Sequence, residues 1–233
     1  MRTLVLWDID HTLLSVAGLS REIYAAAFRE VVGRPLERVA VMAGRTDRAI
    51  TAETLRLHGV DPDEELVVRF TDALGRGFAE RRHEIAARGR ALPGARAGLE
   101  ALASRPDVVQ SLLTGNMESI ARCKLAAFGL DGLVDFGVGA YGMDGVERPP
   151  LVRLARERAE AKYGESFGPE STVLVGDTPL DVAAGHQGGA RVVAVATGAS
   201  DEAALRDAGA ELVLADLRDT DAVVHAVLDV TRI

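Results

Sequence analysis

Short runs of apolar residues alternate with amphipathic helical patterns along most of the chain. Helical patterns cover residues 94–104, 117–128, 150–163, 180–187 and 201–208, and they separate most of the apolar runs. Strands that are apolar on both faces and alternate with helices are typical of a parallel sheet covered by helices. The pattern therefore predicts an α/β fold with a parallel, Rossmann-like sheet. We predict strands at residues 3–9, 108–113, 133–138, 172–175, 192–195 and 212–214.

Residues 16–90 interrupt this alternation, because they carry helical patterns and no convincing strand. We call this segment the insertion, and Pro93 with Gly94 marks the return to the alternating pattern. The expected division is an α/β core of residues 1–15 and 91–233, with an all-helical cap at 16–90. We predict three helices in the insertion: one that Ser20 caps and that ends at Gly33, one that Thr46 or Asp47 caps and that ends near Gly59, and one over 62–87 with Gly75 and Gly77 as candidate break points.

Composition excludes several classes of protein. The chain has 233 residues, of which 48% are apolar and 27% are charged, which is typical of a globular protein. Its net charge of −8 argues against binding to nucleic acid or to an anionic membrane through bulk charge. A single cysteine excludes an intramolecular disulfide framework. Because no apolar run approaches about 20 residues and the N-terminus does not resemble a signal peptide, we expect a cytoplasmic protein.

Two of the predicted strands end in pairs of acidic residues. Asp8 and Asp10 follow the first strand, and Asp177 and Asp181 follow the strand at 172–175. Two carboxylates about 4 Å apart repel by about 4 kcal/mol at an effective dielectric of 20, so such a cluster requires a cation or a shared proton. A solvated turn is the alternative for Asp8 and Asp10 alone. Four carboxylates at one sheet edge favour Mg²⁺, which prefers oxygen ligands.

A third strand ends in Thr114, Gly115 and Asn116, directly before a predicted helix. The threonine hydroxyl and the free N–H groups of the helix start can hold phosphate oxygens, although the same residues also form an ordinary helix cap. Lys124, one of only two lysines in the chain, lies on the apolar face of this helix. We interpret it as a cation that offsets the carboxylates and binds phosphate, the alternative being a side chain that extends to solvent.

These motifs, in this order, resemble those of the haloacid dehalogenase superfamily in its phosphatase branch. The matching motifs are DIDHT at 8–12, LLTGN at 112–116, Lys124 in ARCKL, and VGDTPLD at 175–181. The insertion resembles the helical C1-type cap of the phosphoglycolate-phosphatase-like members. The resemblance covers nearly the whole chain, and it implies an enzyme with a small phosphorylated metabolite as its substrate.

The resemblance also implies a role for each matching residue. Asp8 would be the nucleophile that accepts the phosphoryl group, and Asp10 would protonate the leaving alcohol and then activate water. Thr114 and Lys124 would hold the phosphoryl oxygens. The implied ligands of Mg²⁺ are the Asp8 carboxylate, the Asp10 backbone carbonyl and Asp177, with Asp181 acting directly or through water.

The chain departs from the family pattern at two positions. Many members carry glycine where this chain has His11, which could shape the turn, contact substrate or point to solvent. Many relatives place their lysine before a Pro-rich helix start, where this chain has Arg148. We expect Lys124 to take that role here, with Arg148 as the alternative. In the insertion, Arg45 could meet an anionic substrate tail or be an exposed arginine beside a helix cap.

Three functions fit these expectations. The first is a Mg²⁺-dependent phosphatase that hydrolyses a small phosphomonoester metabolite through an aspartyl-phosphate. The second is a phosphomutase of the β-phosphoglucomutase type, and the third is a non-catalytic binding module on the same fold. The presence of Asp8, Asp10 and Asp177 together favours an enzyme.

Overall fold

A parallel sheet forms the centre of the computed structural model, which describes residues 2–232. The strands are β1 (Thr3–Trp7), β2 (Leu14–Ser15), β3 (Arg90–Ala91), β4 (Val108–Leu112), β5 (Thr172–Gly176), β6 (Arg191–Val195) and β7 (Leu212–Leu214). The α-helices are α1 (Leu19–Val32), α2 (Asp47–Leu57), α3 (Glu64–Glu80), α4 (Arg82–Arg88), α5 (Ala95–Ala103), α6 (Glu118–Ala127), α7 (Pro149–Tyr163), α8 (Pro179–Gly188), α9 (Glu202–Asp207) and α10 (Thr220–Asp229).

The order of strands in the main sheet is β4-β1-β5-β6-β7, and every neighbouring pair is parallel. This arrangement confirms the predicted α/β fold. Because β1 lies between β4 and β5, the residues that follow these three strands meet at one edge of the sheet. The acidic motifs and the Thr-Gly-Asn motif are therefore brought together by topology.

Successive side chains of β1 enter different apolar clusters, as the period of a strand requires. Leu4 and Leu6 pack in one cluster, with side chains of α7 and α8. Val5 and Trp7 pack in the other, which continues through the insertion to Phe28 and Phe70. The insertion therefore shares a continuous apolar core with one face of the sheet.

The insertion is helical between β2 and β3, as the pattern predicts, but its helix boundaries differ. Thr46 caps α2 by accepting a hydrogen bond from the N–H of Ala49, whereas Ser20 caps no helix, because α1 already begins after Gly18. The long helical pattern breaks at Arg81 and not at Gly75 or Gly77. Gly77 stays inside α3, where a Cβ atom would lie 2.6 Å from Cγ2 of Ile23. Its missing side chain permits close packing of α1 on α3.

The predicted strand at 133–138 is wrong. This segment forms two short 3₁₀ turns, Asp131–Leu133 and Phe136–Val138. The carboxylate of Asp135 accepts a hydrogen bond from the N–H of Gly137, which closes a turn. The segment runs beside β4, where the N–H of Asp135 donates to the carbonyl of Gln110, but it pairs with the sheet only as an isolated bridge at Ala140 and not as a strand.

Three elements have no counterpart in the sequence prediction. They are α10 and the two short strands β2 and β3, which pair antiparallel across the two connections of the insertion. Two-residue strands are too short for any periodic pattern. No helix within residues 2–232 is long and apolar enough to cross a membrane.

Ion pairs join α1 to α4 on the surface of the insertion. Glu22 accepts hydrogen bonds from Arg81 and Arg88, and Glu84 accepts bonds from the same two arginines. Hydrogen bonds from Arg88 and then Arg81 lower the pKa of Glu22 to about 2. Hydrogen bonds from Arg81 and then Arg88 likewise lower the pKa of Glu84 to about 2.

We expect this network to stabilise the fold at neutral pH and to fail in acid. The folded-state pKa of Glu22 lies below the value of about 4.3 in an unfolded chain, so its contribution is present above about pH 4.3 and is lost as the pH falls towards 2. Urea unfolding of Glu22→Gln at pH 7 and at pH 2.5 should therefore differ from wild type mainly at pH 7. Glu37→Gln, at an exposed position, is the control; an equal loss in both variants at pH 7 would contradict the expectation.

Candidate active site

The residues that follow β1, β4 and β5 surround a cavity of about 360 Å³. The N–H of Asp8 donates to the carbonyl of Val175, which fixes the exit of β1 beside β5. The insertion closes the other side of the cavity with residues of α1, α2 and α3. Candidate residues from the core line it as expected: Asp8, Asp10, Thr114, Gly115, Asn116, Lys124, Arg148 and Asp177.

Arg148 lies at the centre of one group of charges. Its Nη2 atom is 3.3 Å from Oδ1 of Asp8 and 2.7 Å from Oδ1 of Asp181, and it donates to the carbonyl of Leu113. Arg148 is buried, and its Nε–H has no hydrogen-bond partner among the described residues. Arg148, and not Lys124, contacts Asp8, so both cations stay candidates for binding phosphate.

Lys124 lies at the centre of a second group. Its Nζ donates to both carboxylate oxygens of Asp10, at 2.7 and 2.6 Å, and to Oδ1 of Asn116 at 2.7 Å. The amide of Asn116 in turn donates to Asp10 and to the hydroxyl of Thr114. Lys124 is only 2% exposed, so its side chain does not extend to solvent. The sequence pattern placed it correctly on the inward face of α6.

Burial and charge give the carboxylates different proton affinities. Burial raises the pKa of Asp8 well above its ordinary value, and the Arg148 charge opposes this rise only in part. Burial also acts on Asp10, but the charge and hydrogen bonds of Lys124, with the bond from Asn116, lower its pKa below the ordinary value. Burial and the neighbouring Asp181 carboxylate raise the pKa of Asp177 to about 7.

Three of the carboxylates could hold a divalent cation together. Asp8, Asp177 and Asp181 each offer one oxygen, and these oxygens lie within 4.8 Å of one another. Oδ1 of Asp181 is buried and accepts no hydrogen bond of good geometry from residues 2–232. An all-oxygen set of this kind fits Mg²⁺. The carboxylate of Asp10 faces Lys124 and not this group, so only its backbone carbonyl remains as a candidate ligand.

The family model for haloacid dehalogenase-like hydrolases matches residues 5–186. The chain belongs to this family of hydrolases. The match includes the first acidic motif, the Thr-Gly-Asn motif, both cations and the second acidic motif. A search of curated proteins gives no significant match.

Solved structures of a hydrolase, a predicted phosphatase and a phosphomutase resemble the chain over nearly its whole length. A hydrolase from Pseudomonas syringae is 22% identical, with 95% of this chain and 97% of that chain covered and a TM-score of 0.66. A predicted phosphoglycolate phosphatase from Haemophilus somnus is 19% identical, with 96% and 98% covered and a TM-score of 0.66. A β-phosphoglucomutase from Clostridium difficile is 14% identical, with 98% of each chain covered and a TM-score of 0.71. At these identities the likeness shows the fold.

Two residues that the sequence did not single out position Asp177. The hydroxyl of Thr12 donates to its Oδ1 at 3.1 Å. A Cβ atom at Gly198 would lie 1.8 Å from its Oδ2, so only glycine leaves room for the carboxylate. Thr12 lies within the DIDHT motif, which was the available signal. Gly198 follows β6, and no local pattern connects it with Asp177.

The structure explains one departure from the family pattern, His11, and shows the surroundings of Arg45. His11 adopts a φ of 62°, a conformation that favours glycine and that histidine tolerates better than most residues. Its side chain is exposed and lines the cavity. Arg45 also lines the cavity, but its guanidinium pairs with Glu53 at 2.6 Å. It is therefore already neutralised by a residue of its own segment.

The insertion contributes polar and aromatic residues that the sequence did not assign to the site. Tyr24, Asp47 and Phe78 are buried and line the cavity. The sequence pattern indicates Asp47 only as a possible helix cap, because its burial depends on contacts with distant segments. The helical pattern alone indicates that Tyr24 and Phe78 face inward, but not that they face a cavity.

We expect Gly198→Ala to disrupt the cation site that Asp8, Asp177 and Asp181 form. The added methyl group must displace the Asp177 carboxylate, and a shift of that kind should weaken Mg²⁺ binding about 10- to 100-fold. Isothermal titration with Mg²⁺ measures the effect. Gly132→Ala is the matched control, because no atom lies within 4 Å of a Cβ built there. Unchanged Mg²⁺ affinity in Gly198→Ala would show that Asp177 is not a ligand.

Proposed function

We propose that this hydrolase is a Mg²⁺-dependent phosphatase that acts on a small phosphomonoester through an aspartyl-phosphate. The observation that carries the proposal is the separation of the two aspartates of the first motif. Asp8 lies in one group with Arg148, Asp177 and Asp181. Asp10 lies in a second group, where its carboxylate is 2.6 Å from the ammonium of Lys124. Two carboxylates in different environments can take the two different roles that the reaction requires.

In the first step, a carboxylate oxygen of Asp8 forms a bond to phosphorus while the bond from phosphorus to the ester oxygen breaks. Asp10, in its protonated form, gives a proton to the leaving alcohol. Arg148, Lys124 and the hydroxyl of Thr114 offer donors for the phosphoryl oxygens, whose negative charge must be stabilised in the transition state.

In the second step, a water molecule attacks phosphorus and the bond to the Asp8 oxygen breaks. The Asp10 carboxylate takes the proton of that water, so that inorganic phosphate leaves and both aspartates return to their starting states. Charge and hydrogen bonds from Lys124 stabilise the carboxylate form of Asp10 that this step needs.

Mg²⁺ would be held by the carboxylates of Asp8, Asp177 and Asp181, and the backbone carbonyl of Asp10 is a further candidate. When bound, the ion supplies positive charge that offsets the phosphoryl oxygens and orients them towards Asp8. Thr12 and Gly198 position one of these ligands, and the Thr178 hydroxyl and N–H hold Asp181 in a capping box.

The insertion supports a small substrate. We propose that residues 16–90 act as a cap domain, because α1, α2 and α3 close a cavity of about 360 Å³ over the acidic group. A phosphorylated metabolite fits such a volume, and a nucleic acid duplex does not. A single cysteine and an acidic composition are compatible with action in the cytoplasm.

Phosphomutase chemistry is the second candidate function. A phosphomutase must hold a second phosphate away from the nucleophile, which calls for a cation in the insertion. Arg21 and Arg45 of the insertion both line the cavity, and Arg45 is paired with Glu53. The release of phosphate distinguishes the two reactions, because a phosphatase frees one phosphate for each substrate molecule. A phosphomutase would instead turn over a sugar phosphate after priming by a bisphosphate, with little release of phosphate.

Removal of the nucleophile tests the proposal. We expect Asp8→Asn to lower kcat for Mg²⁺-dependent hydrolysis of p-nitrophenyl phosphate by about 1,000-fold or more, since the amide cannot form the intermediate. Rapid acid quench and intact-mass measurement should find one added phosphoryl group on the wild type and none on the variant. Asp131→Asn, at an exposed position, is the control. Activity of Asp8→Asn equal to that of the control would rule out the aspartyl-phosphate.

The two lysines of the chain allow a second test. We expect Lys124→Met to lower kcat/KM for the same substrate about 100-fold, because a buried donor near the phosphoryl group is lost. Lys162→Met is the matched control, since Lys162 pairs with Asp135 at the surface and is 51% exposed. Similar kinetics for the two variants would remove Lys124 from the reaction.

A further inference from the structure

Asp47 joins the insertion to the start of α6. Its Oδ2 accepts a hydrogen bond from the N–H of Met117, which directly precedes α6, and its Oδ1 accepts one from the hydroxyl of Tyr24. Its own N–H donates to the carbonyl of Gly115 at 2.7 Å. One residue of the insertion therefore holds both ends of the segment that carries Asn116.

The surrounding backbone is shaped to receive this residue. A Cβ atom at Gly115 would lie 1.9 Å from the carbonyl oxygen of Arg45, and one at Gly142 would lie 1.8 Å from the carbonyl oxygen of Gly115. The hydroxyl of Thr46 donates to the carbonyl of Val146 in the same region. The contact between insertion and core is thus a close one between backbones, and it leaves little room for a different placement of Asp47.

The helix that receives Asp47 is the one that carries Lys124. The loop before it supplies Thr114 and Asn116. The side chain of Asn116 accepts a hydrogen bond from Lys124 and donates one to Asp10. The ring of Phe78, from α3 of the insertion, lies 5.5 Å from the ammonium of Lys124. The insertion therefore contacts α6 at its start and also at its lysine.

A buried carboxylate is a costly way to cap a helix, because its desolvation must be offset by its partners. Helix α3 of the insertion is instead capped at the surface, where the Asp63 carboxylate accepts from the N–H of Leu66. Asp47 differs in that its partners belong to two segments, Tyr24 in the insertion and Met117 in the core. Asp47 therefore links the insertion to the core, whereas an ordinary cap bonds to its own helix.

We propose that Asp47 is a positioning residue that couples closure of the insertion to the placement of Lys124 and Asn116 around Asp10. The proposal assigns to Asp47 no contact with the reacting atoms. It rests on the proposed phosphatase function for its effect on turnover, whereas its effect on the start of α6 is independent of the reaction.

Hydrogen exchange tests the link without any substrate. In Asp47→Ala, the amide of Met117 should exchange at least tenfold faster than in wild type. In Asp47→Asn its exchange should stay within about 1.5-fold of wild type, because the amide oxygen still accepts from Met117. Asp63→Ala is the matched control, since it removes an equivalent helix cap outside the site. Equal exchange at Met117 in wild type and Asp47→Ala would overturn the proposal.

Kinetics with Mg²⁺ and p-nitrophenyl phosphate test the consequence for the reaction. We expect kcat of Asp47→Ala to fall at least tenfold with a smaller change in KM, and Asp47→Asn to restore most of it. A merely structural role predicts that Asp47→Ala and Asp63→Ala lose activity only in proportion to their thermal stability, and that result would also overturn the proposal. If the wild type hydrolyses no phosphomonoester, the proposed function fails and the exchange measurement still decides the role of Asp47.

A third variant covers the case in which Asp47→Ala does not fold. Tyr24→Phe removes one of the two side-chain hydrogen bonds to Asp47 and keeps the ring that packs near Phe70, 5.8 Å away. Exchange at Met117 should then rise by an intermediate factor of about three. Wild-type exchange and wild-type kcat in this variant would speak against the coupling.

Discussion

The site is organised by an excess of buried negative charge. Five carboxylates and two buried cations lie in or directly behind the wall of the cavity, and Arg21 and Arg45 of the insertion line its more exposed part. Two unit charges of the same sign at 4 Å repel by about 4 kcal/mol at an effective dielectric of 20. Lys124 contacts Asp10 and Asn116, whereas Arg148 contacts Asp8 and Asp181. The remaining charge must be met by a divalent cation or by protons. The carboxylates are Asp8, Asp10, Asp47, Asp177 and Asp181, and the cations are Lys124 and Arg148.

The parallel sheet makes this concentration of charge possible. Because β1 lies between β4 and β5, the side chains that follow these three strands lie close together at one edge of the sheet. Glycines then provide the room that the carboxylates need. A Cβ atom at Gly176 would lie 2.4 Å from Cγ of Asp181, and one at Gly198 would lie 1.8 Å from Oδ2 of Asp177. The main-chain path and the positions of the acids are therefore determined together.

Sequence patterns predict the parts of this structure that depend on local chemistry. Apolar runs and capping residues locate the five strands of the sheet and most helices, and the acids after β1 and β5 follow directly. The patterns fail where contacts beyond the local sequence determine the structure. The Asp135 side chain closes a turn within an apolar run that is typical of a strand. Ile23 requires a glycine at position 77, which the sequence pattern indicates as a helix break. The same reason explains the pairing of the cations, because only the fold brings Arg148 to Asp8 and Lys124 to Asp10.

The hydrogen bonds of Lys124 place a condition on any phosphate that enters the site. An ammonium group has three donors, and all three are used, two by Asp10 and one by Asn116. A phosphoryl oxygen can therefore bind Lys124 only by replacing one of these partners. Replacement of an Asp10 oxygen weakens the interaction that keeps this carboxylate ionised, and an aspartate that gains a proton is the form that can protonate a leaving alcohol. In the proposed reaction, binding of the substrate and protonation of Asp10 are therefore linked through Lys124.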